Sequence, residues 1–323
     1  MRKLIGKLLL LAAPIAVLAA LVVAVDPFNF FGGPSLLSDR LKVRNRFYSG
    51  ATMPAYNMLA KLVEYRRQPV ANIVIGDSRL TRFNARMVEE LTGEAFYNFG
   101  VPGGNYRSMV DTFWYADGLV PLESVYLQVS FRTYGAGDWD IFSEAKLTAN
   151  SVWYHLSSRR VLGATFLGLR SLFFERSMRY AYDDHPPGFW EKVLESERAM
   201  VRRFRRPVEL LKELTKIAEH CRAKGIRLVL IDLPSHLDAQ RLVTEAGLEE
   251  ERERYRQEMM ALGTYYDFNR TNRLTVDRNL YVDPLHALPA VPDEVIRQIW
   301  RGPLVDGQVY GRTGTTDPTH AAR

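Results

Sequence analysis

The sequence predicts an α/β fold in which about five parallel strands form a sheet with helices on both faces. Short apolar runs rich in β-branched residues alternate along the chain with segments whose apolar residues recur at three- and four-residue spacing. The first such run, residues 72–75, is followed at once by a helical segment. Strands that are joined through helices run parallel with right-handed crossovers, and the helices then cover both sides of the sheet.

Composition and charge exclude several classes of protein. The chain has 323 residues, of which 47% are hydrophobic, so one large or two ordinary globular domains are possible. Its net charge of +6 is mildly basic, and no aromatic-and-basic recognition motif is present, so we expect no nucleic acid partner. No glycine-rich phosphate loop follows a strand, so we expect no cofactor. Cys221 is the single cysteine, which excludes an intrachain disulfide and a cysteine-based metal site.

The N-terminal 25 residues predict a signal anchor, which is a single transmembrane helix. Three basic residues, Arg2, Lys3 and Lys7, precede an apolar run over residues 8–25 that is about long enough to cross a bilayer. Because the basic side stays in the cytoplasm, we expect a single-pass protein of the inner or cytoplasmic membrane. The rest of the chain would then be periplasmic or extracytoplasmic. A cleaved signal peptide that ends near Ala24 is the alternative.

The body of the chain gives the order of the remaining elements. Residues 26–68 are predicted as a linker and a helical segment, residues 69–306 as the main domain, and residues 307–323 as a mobile tail. The predicted strands are residues 72–75, 95–99, 124–129, 226–233 and 265–268. The predicted helices are the segment after Ser78 and residues 106–115, 208–223, 242–262 and 292–300.

An insertion over residues 134–206 interrupts this alternation. The segment is rich in aromatic residues and carries four arginines near its end, and we interpret it as mostly helical. Its aromatic residues could form a second small core, with the arginines on a solvated helix face. Alternatively, the insertion could serve as a substrate lid, a membrane-contact surface or a docking site for a partner.

Ser78 is the first candidate for chemistry. It lies between the carboxyl end of the first predicted strand and a helical pattern, where ligands bind in open α/β sheets. The plain alternative is a helix cap, a role that serine often takes. Asp283 and His286, near the other end of the chain, are spaced so that one turn can present a carboxylate and an imidazole together. Serine, histidine and aspartate are the groups needed to activate a hydroxyl for acyl transfer.

Two alternatives concern the histidine. His236 follows a predicted strand and could act as the base in place of His286. The pair Asp283 and His286 could also ligate a metal, although no third ligand accompanies it in a motif.

Three short blocks together resemble the SGNH/GDSL hydrolase superfamily. They are residues 76–78 (Gly-Asp-Ser), residues 98–103 (Asn-Phe-Gly-Val-Pro-Gly) and residues 283–286 (Asp-Pro-Leu-His). They occur in the order that the superfamily shows, and the resemblance covers roughly residues 72–298. It implies a flavodoxin-like fold of three layers, with the predicted insertion added to it.

The resemblance also implies roles for individual residues. Ser78, His286 and Asp283 correspond to a catalytic triad. The oxyanion hole would be formed by the backbone N–H of Ser78, by Gly103 in the second block and by an asparagine in a third block. The third block is where this sequence departs, because residues 130–133 read Ser-Phe-Arg-Thr.

Arg132 stands at the position where the superfamily has the asparagine. An arginine can donate hydrogen bonds to an oxyanion or bind an anionic group of a substrate. Asn105, just past the glycine turn, is the alternative third donor. Such a departure resembles the membrane-anchored branches of the superfamily that act in O-acetylation of exported polysaccharides or D-alanylation of wall polymers.

The sequence therefore predicts an anchored serine esterase or O-acyltransferase that acts on a cell-envelope glycan or lipid. The acyl group would be acetyl or similarly small, and water or a sugar hydroxyl would accept it. The resemblance implies a separate membrane acyltransferase as a partner in the case of transfer. A non-catalytic envelope module, which keeps the fold for binding or assembly, is the alternative function.

Overall fold

The computed structural model describes residues 2–46, 53–135, 137, 139–174 and 186–310. The chain divides into two compact units, one formed by Met1–Gln68 and Ile141–Tyr180 and the other by Pro69–Asp140 and Ala181–Arg323. Residues 175–185 of the predicted insertion, and the predicted tail beyond residue 310, lie outside the described residues.

The second unit contains a six-stranded sheet, which confirms the α/β class. The strands are β1 (Asn72–Gly76), β2 (Phe96–Gly100), β3 (Ser124–Val129), β4 (Arg227–Asp232), β5 (Thr264–Asp267) and β6 (Gln308–Tyr310). Their order is β2-β1-β3-β4-β5-β6, with β1 to β5 parallel and β6 antiparallel to β5. The short β6 raises the strand count above the predicted five, and it lies where the sequence shows little apolar character.

Helices account for most of the remaining described chain. They are α1 (Arg2–Val25), α2 (Asp39–Arg46), α3 (Met53–Arg67), α4 (Ala85–Thr92), α5 (Tyr106–Asp117), α6 (Phe131–Tyr134), α7 (Ser143–Asn150), α8 (Val152–Ser157), α9 (Arg159–Phe173), α10 (Phe189–Val201), α11 (Val208–Lys224), α12 (Leu237–Glu245), α13 (Glu249–Leu262), α14 (Arg273–Val276) and α15 (Ala290–Trp300).

Helices cover both faces of the sheet. Side chains alternate between the faces along each strand. On one face Val74 and Ile231 belong to a buried cluster with Val295 and Ile296 of α15. On the other face α5, α11 and α13 contact β1, β4 and β5 respectively. The carboxyl ends of all five parallel strands therefore meet at one edge of a three-layer unit.

The helix predicted over residues 242–262 is two helices. α12 begins earlier, at Leu237, and ends at Glu245, while α13 begins at Glu249. The break lies at Gly247, whose φ of +69° is a left-handed conformation that glycine adopts without strain. Helical spacing alone does not mark this break, so the prediction treated the two helices as one.

Residues 2–25 form a helix, but the prediction that they anchor the chain in a membrane is wrong. Within the part of the chain that the structure describes, no helix has both the length and the apolar character needed to span a bilayer. The last turn of α1 packs in protein, whereas Leu10, Ile15 and Val17 earlier in the helix are exposed. Val22 and Val25 are buried, and a Cβ added to Gly168 of α9 would lie 3.1 Å from Val25 Cγ1. The predicted single-pass membrane localisation, which rested on this anchor, falls with it.

His155 is buried at the centre of an aromatic cluster in the first unit. Its ring stacks on Phe30 with centroids 3.9 Å apart, and the rings of Phe28 and Phe31 meet it edge-on. Its Nδ1 lies 3.3 Å from the Thr148 carbonyl oxygen, while Nε2 has no hydrogen-bond partner among the described residues. Burial is the main cause that lowers the pKa of His155 from 6.5 to about 4.

This histidine should make the first unit sensitive to acid. The folded state keeps His155 neutral, whereas the unfolded chain takes up a proton below pH 6.5, so the free energy of unfolding should fall as the pH drops from 6.5 towards 4. The loss should approach about 3 kcal/mol. Urea unfolding of the wild type and of His155→Phe between pH 7.5 and 4 measures it. The variant should show a flatter pH dependence, and equal slopes would contradict the prediction.

Candidate active site

Ser78 lies at the carboxyl edge of the sheet, directly after β1. The strand consists of buried residues and ends at Gly76. A 3₁₀ turn, Ser78–Arg82, begins at once because the Asp77 carboxylate accepts the backbone N–H of Arg79 at 2.9 Å. β1 lies between β2 and β3, where the strand order reverses. Ligands bind at such switch points in open α/β sheets.

Asp283 and His286 lie on a tight loop before α15. An antiparallel bridge between Tyr281 and Ala287 closes the loop. Inside it, Asp283 Oδ1 accepts the backbone N–H groups of Leu285 at 2.8 Å and His286 at 3.0 Å. These bonds fix the orientation of the carboxylate relative to the imidazole, as the spacing of the two residues suggests.

The structure brings Ser78, His286 and Asp283 together. Ser78 Oγ is 2.8 Å from His286 Nε2, and His286 Nδ1 is 2.7 Å from Asp283 Oδ2. Burial raises the pKa of Asp283, but the hydrogen bond and charge of His286, with the two backbone N–H groups, outweigh it and lower this pKa. Asp283 is thus held as a carboxylate that can orient an imidazole, whose other nitrogen lies within reach of the Ser78 proton.

Other contacts hold the serine turn against the histidine loop. Arg82 Nη1 donates a hydrogen bond to the carbonyl oxygen of Ala287 at 3.3 Å, and Thr81 Oγ1 donates to the carbonyl of Ser78 at 2.6 Å. The approach of Ser78 to His286 therefore does not depend on their own hydrogen bond alone.

A buried polar cluster lies under the serine turn. Arg79 Nη2 is 2.9 Å from Asp77 Oδ2, and Gln128 Nε2 donates to Asp77 Oδ1 at 2.8 Å. Gln128 Oε1 also accepts the backbone N–H of Asp77. Burial raises the pKa of Asp77, but the charge and hydrogen bonds of Arg79 outweigh it and hold this pKa below its ordinary range. Gly76 is needed here, because a Cβ would lie 2.8 Å from Gln128 Cβ.

The second sequence block positions the same turn from β2. Asn98 Nδ2 donates to the carbonyl oxygens of Leu80 and Phe83, both at 2.9 Å. Gly100 allows the backbones to approach, since a Cβ there would lie 2.8 Å from the Leu80 carbonyl carbon and 2.9 Å from Thr81 N. The second block therefore holds the serine turn in place through the two hydrogen bonds of Asn98 and the close backbone contact at Gly100.

Gly103 lies on the turn that follows β2. This turn passes close to the end of β1. Gly103 is exposed and has a φ of +70°. Its neighbour Gly104 packs against the end of β1, because a Cβ on it would lie 3.2 Å from the Gly76 carbonyl oxygen and 3.4 Å from Asp77 Cα. Gly103 thus belongs to a turn that adjoins the residues just before Ser78.

The two remaining predicted residues have partners elsewhere. Asn105 caps α5 by accepting the Ser108 N–H at 2.9 Å, and its Nδ2 donates to the Trp139 carbonyl at 2.8 Å. Arg132 forms a two-bond ion pair with Glu197 of α10, in which Nη2 is 2.9 Å from Oε1. Neither of these contacts is directed at Ser78 or His286.

His236, the alternative base, serves as a helix cap. Its Nδ1 accepts the backbone N–H of Asp238 at 3.2 Å at the start of α12, and its backbone N–H donates to the Pro284 carbonyl. Burial is the main cause that lowers its pKa. The described residues contain no group of three or more histidine, cysteine, aspartate or glutamate side chains that could hold a metal ion.

Sequence reasoning missed two residues that position the site, Gln128 and Arg82. Gln128 is a polar residue in a strand that is buried along its whole length. Such a position is itself a signal, because a buried amide needs partners. Arg82 offers no comparable signal, since an arginine in a turn is ordinary.

Comparisons with known proteins add little to this site. Neither the family models nor the curated proteins include a match to the chain. Among solved structures, the chain is similar to one from Streptococcus pneumonia described as "a putative platelet activating factor". The sequence identity is 10%, the TM-score is 0.38, and the match covers 76% of this chain and 92% of the other. Values this low establish neither a shared fold nor a shared function.

Proposed function

We propose that the chain is a serine hydrolase of the SGNH/GDSL type that cleaves esters of acetyl or similarly small acyl groups. One observation carries the proposal: Ser78 Oγ, the imidazole of His286 and the Asp283 carboxylate form a continuous chain with distances of 2.8 and 2.7 Å. A histidine that is oriented by a buried carboxylate and directed at a partly exposed serine at a sheet edge is suited to acyl transfer.

The proposed reaction has two steps. His286 Nε2 takes the proton of Ser78 as Oγ attacks the ester carbonyl carbon, and the imidazolium then gives this proton to the departing alcohol oxygen. The acyl group is left on Ser78 Oγ. In the second step His286 takes a proton from water, the resulting oxygen attacks the acyl carbon, and Oγ regains its proton as the acid leaves. Asp283 stabilises the imidazolium in both steps.

When Ser78 attacks the ester, negative charge develops on the carbonyl oxygen. Backbone N–H groups would donate hydrogen bonds to this oxyanion. The N–H of Ser78 stands at the start of a 3₁₀ turn, and Gly103 lies on the adjoining glycine turn. Removal of one oxyanion-hole donor typically lowers kcat by about 10²- to 10³-fold. Arg132 and Asn105 are left out, because Glu197, Ser108 and Trp139 engage them.

The three side chains do not by themselves select the molecule that accepts the acyl group. A sugar hydroxyl could replace water in the second step and would use the same three side chains. The expectation of an envelope glycan or lipid rested on the membrane anchor, so we propose water as the acceptor.

Covalent labelling with a fluorophosphonate tests this function on the full chain. One adduct should form per chain, on the peptide that contains Ser78, and Ser78→Ala should abolish it. Ser157→Ala, at an exposed serine of α8, is the matched control and should label normally. Absence of an adduct on Ser78 would instead favour the alternative, a non-catalytic module with this fold.

A further inference from the structure

A small, partly open cavity lies next to Arg79 and Leu285, the neighbours in sequence of the proposed catalytic Ser78 and His286. Its volume is about 40 Å³, and it is formed at the carboxyl ends of β3, β4 and β5 beneath α10, α12 and α13. Arg79, which follows Ser78, and Leu285, which precedes His286, both line it. The cavity therefore lies at the same edge of the sheet as Ser78. We name it the Arg252 pocket, after an arginine that lines it.

Four arginines line the pocket, and three of them have carboxylate partners. Arg79 pairs with Asp77, Arg132 with Glu197, and Arg256 Nε with Asp267 Oδ2 at 3.0 Å. Arg252 differs, since its Nε is buried without a hydrogen-bond partner in the described part of the chain. Burial and then the charge of Arg256 lower the pKa of Arg252, and the charges of Glu249 and Asp267 offset part of this lowering. The pocket thus contains a guanidinium whose buried N–H lacks an acceptor.

Two further buried polar atoms of the pocket lack partners. They are Ser130 Oγ, just after β3, and Asp232 Oδ1, at the end of β4. Ser130 is 1% exposed and Asp232 3% exposed. Burial, and then the charge of Asp267, raise the pKa of Asp232, which favours a protonated carboxyl that can donate a hydrogen bond. Arg252 Nε and Ser130 Oγ therefore offer two buried donors without an acceptor in one small space, beside the unpartnered Asp232 Oδ1.

Unsatisfied buried donors are costly, so a ligand that supplies acceptors should bind here. A carboxylate or a phosphate has several acceptor oxygens and a negative charge that would balance Arg252. By size, about 40 Å³ holds roughly three water-sized groups, which suits such a group and little else.

We propose that the Arg252 pocket binds an anionic oxygen group, a carboxylate or a phosphate, that belongs to the ester substrate. This inference rests on the proposed function, because it places the reacting carbonyl at Ser78 and the anionic group of the same molecule in the pocket. The charge could belong to the acyl half or to the alcohol half of the ester.

Direct binding tests the pocket without any catalysis. Calorimetry on the full chain with inorganic phosphate and with acetate should give a Kd that rises at least tenfold in Arg252→Gln. Arg252→Lys keeps the charge but loses Nε, so its Kd should lie between those of the wild type and Arg252→Gln. Arg254→Gln, at an exposed arginine on the same helix, should match the wild type. A melting curve for each variant confirms folding. Equal affinities in all four proteins, or no binding to any, would overturn the proposal.

Paired esters then test whether the anion is part of the substrate. For the acyl half, 4-nitrophenyl hemisuccinate is compared with 4-nitrophenyl pentanoate. For the alcohol half, 4-acetoxybenzoate is compared with 4-methylphenyl acetate. In the wild type, the charged member of one pair should have at least a tenfold higher kcat/KM, and this ratio should approach one in Arg252→Gln.

The two proposals fail in different ways. If no ester is cleaved, the proposed function fails while calorimetry still reports on the pocket. If all four esters are cleaved through Ser78 with ratios near one, the function stands and the substrate assignment of the pocket is overturned.

Discussion

Replacing Ser78 by alanine is expected to lower kcat/KM for 4-nitrophenyl acetate by about 10⁴- to 10⁶-fold. The alanine removes the oxygen that lies 2.8 Å from His286 Nε2, so no acyl-enzyme can form. Residual hydrolysis should reflect binding and the backbone donors alone. Release of 4-nitrophenol, followed at saturating and subsaturating substrate, separates kcat from KM, and the loss should fall mainly on kcat.

The double variant Ser78→Ala with His286→Ala is the control for a shared mechanism. Residues that act as one unit are strongly non-additive, so the double variant should be about as active as the single one. A Ser78→Ala protein with wild-type activity would remove this serine from the reaction. A much lower activity in the double variant would mean that His286 acts without Ser78.

Replacing Asp283 by asparagine should lower kcat by about 10⁴-fold with the fold intact. The amide has nearly the shape of the carboxylate, but it carries no charge to stabilise the imidazolium. Its nitrogen would also meet His286 Nδ1, and the ring would then favour the tautomer that carries a proton on the nitrogen facing Ser78. The measurement is kcat with thermal unfolding as a check on structure.

Asp277→Asn is the matched control for this substitution. Asp277 is exposed and caps the 3₁₀ turn before the histidine loop by accepting the Asn279 N–H at 2.9 Å, a role that asparagine also fills. Its activity should be unchanged. If Asp283→Asn were equally active, Asp283 would be a structural part of the loop and no part of a triad.

The positions of the five parallel strands along the chain could be predicted because a short strand has a local apolar pattern. Residues 73–75 are three β-branched residues in a row, and they form the central part of β1 as predicted. The motif residues Ser78, Asp283 and His286 could be named for the same reason, since the side chains of each block and their spacing are visible in a few adjacent positions.

Contacts between distant segments could not be predicted. Arg132 stands at the expected third block, yet its guanidinium pairs with Glu197, 65 positions later and on a helix that no motif marks. Similarly, the apolar run over residues 8–25 does not show in its own sequence whether it would contact lipid or protein. Val25 is buried and lies beside Gly168 of α9, a contact that the first 25 residues do not reveal.

The separation of Ser78 and His286 by 208 positions has a consequence for biosynthesis. A ribosome makes the strand before the serine early and the loop before the last helix late. The hydroxyl therefore has no base beside it while most of the sheet is being assembled, and it gains one only after α15 has emerged and packed. Nascent or C-terminally clipped chains that lack this helix should be inert towards esters, even where the serine turn is already formed.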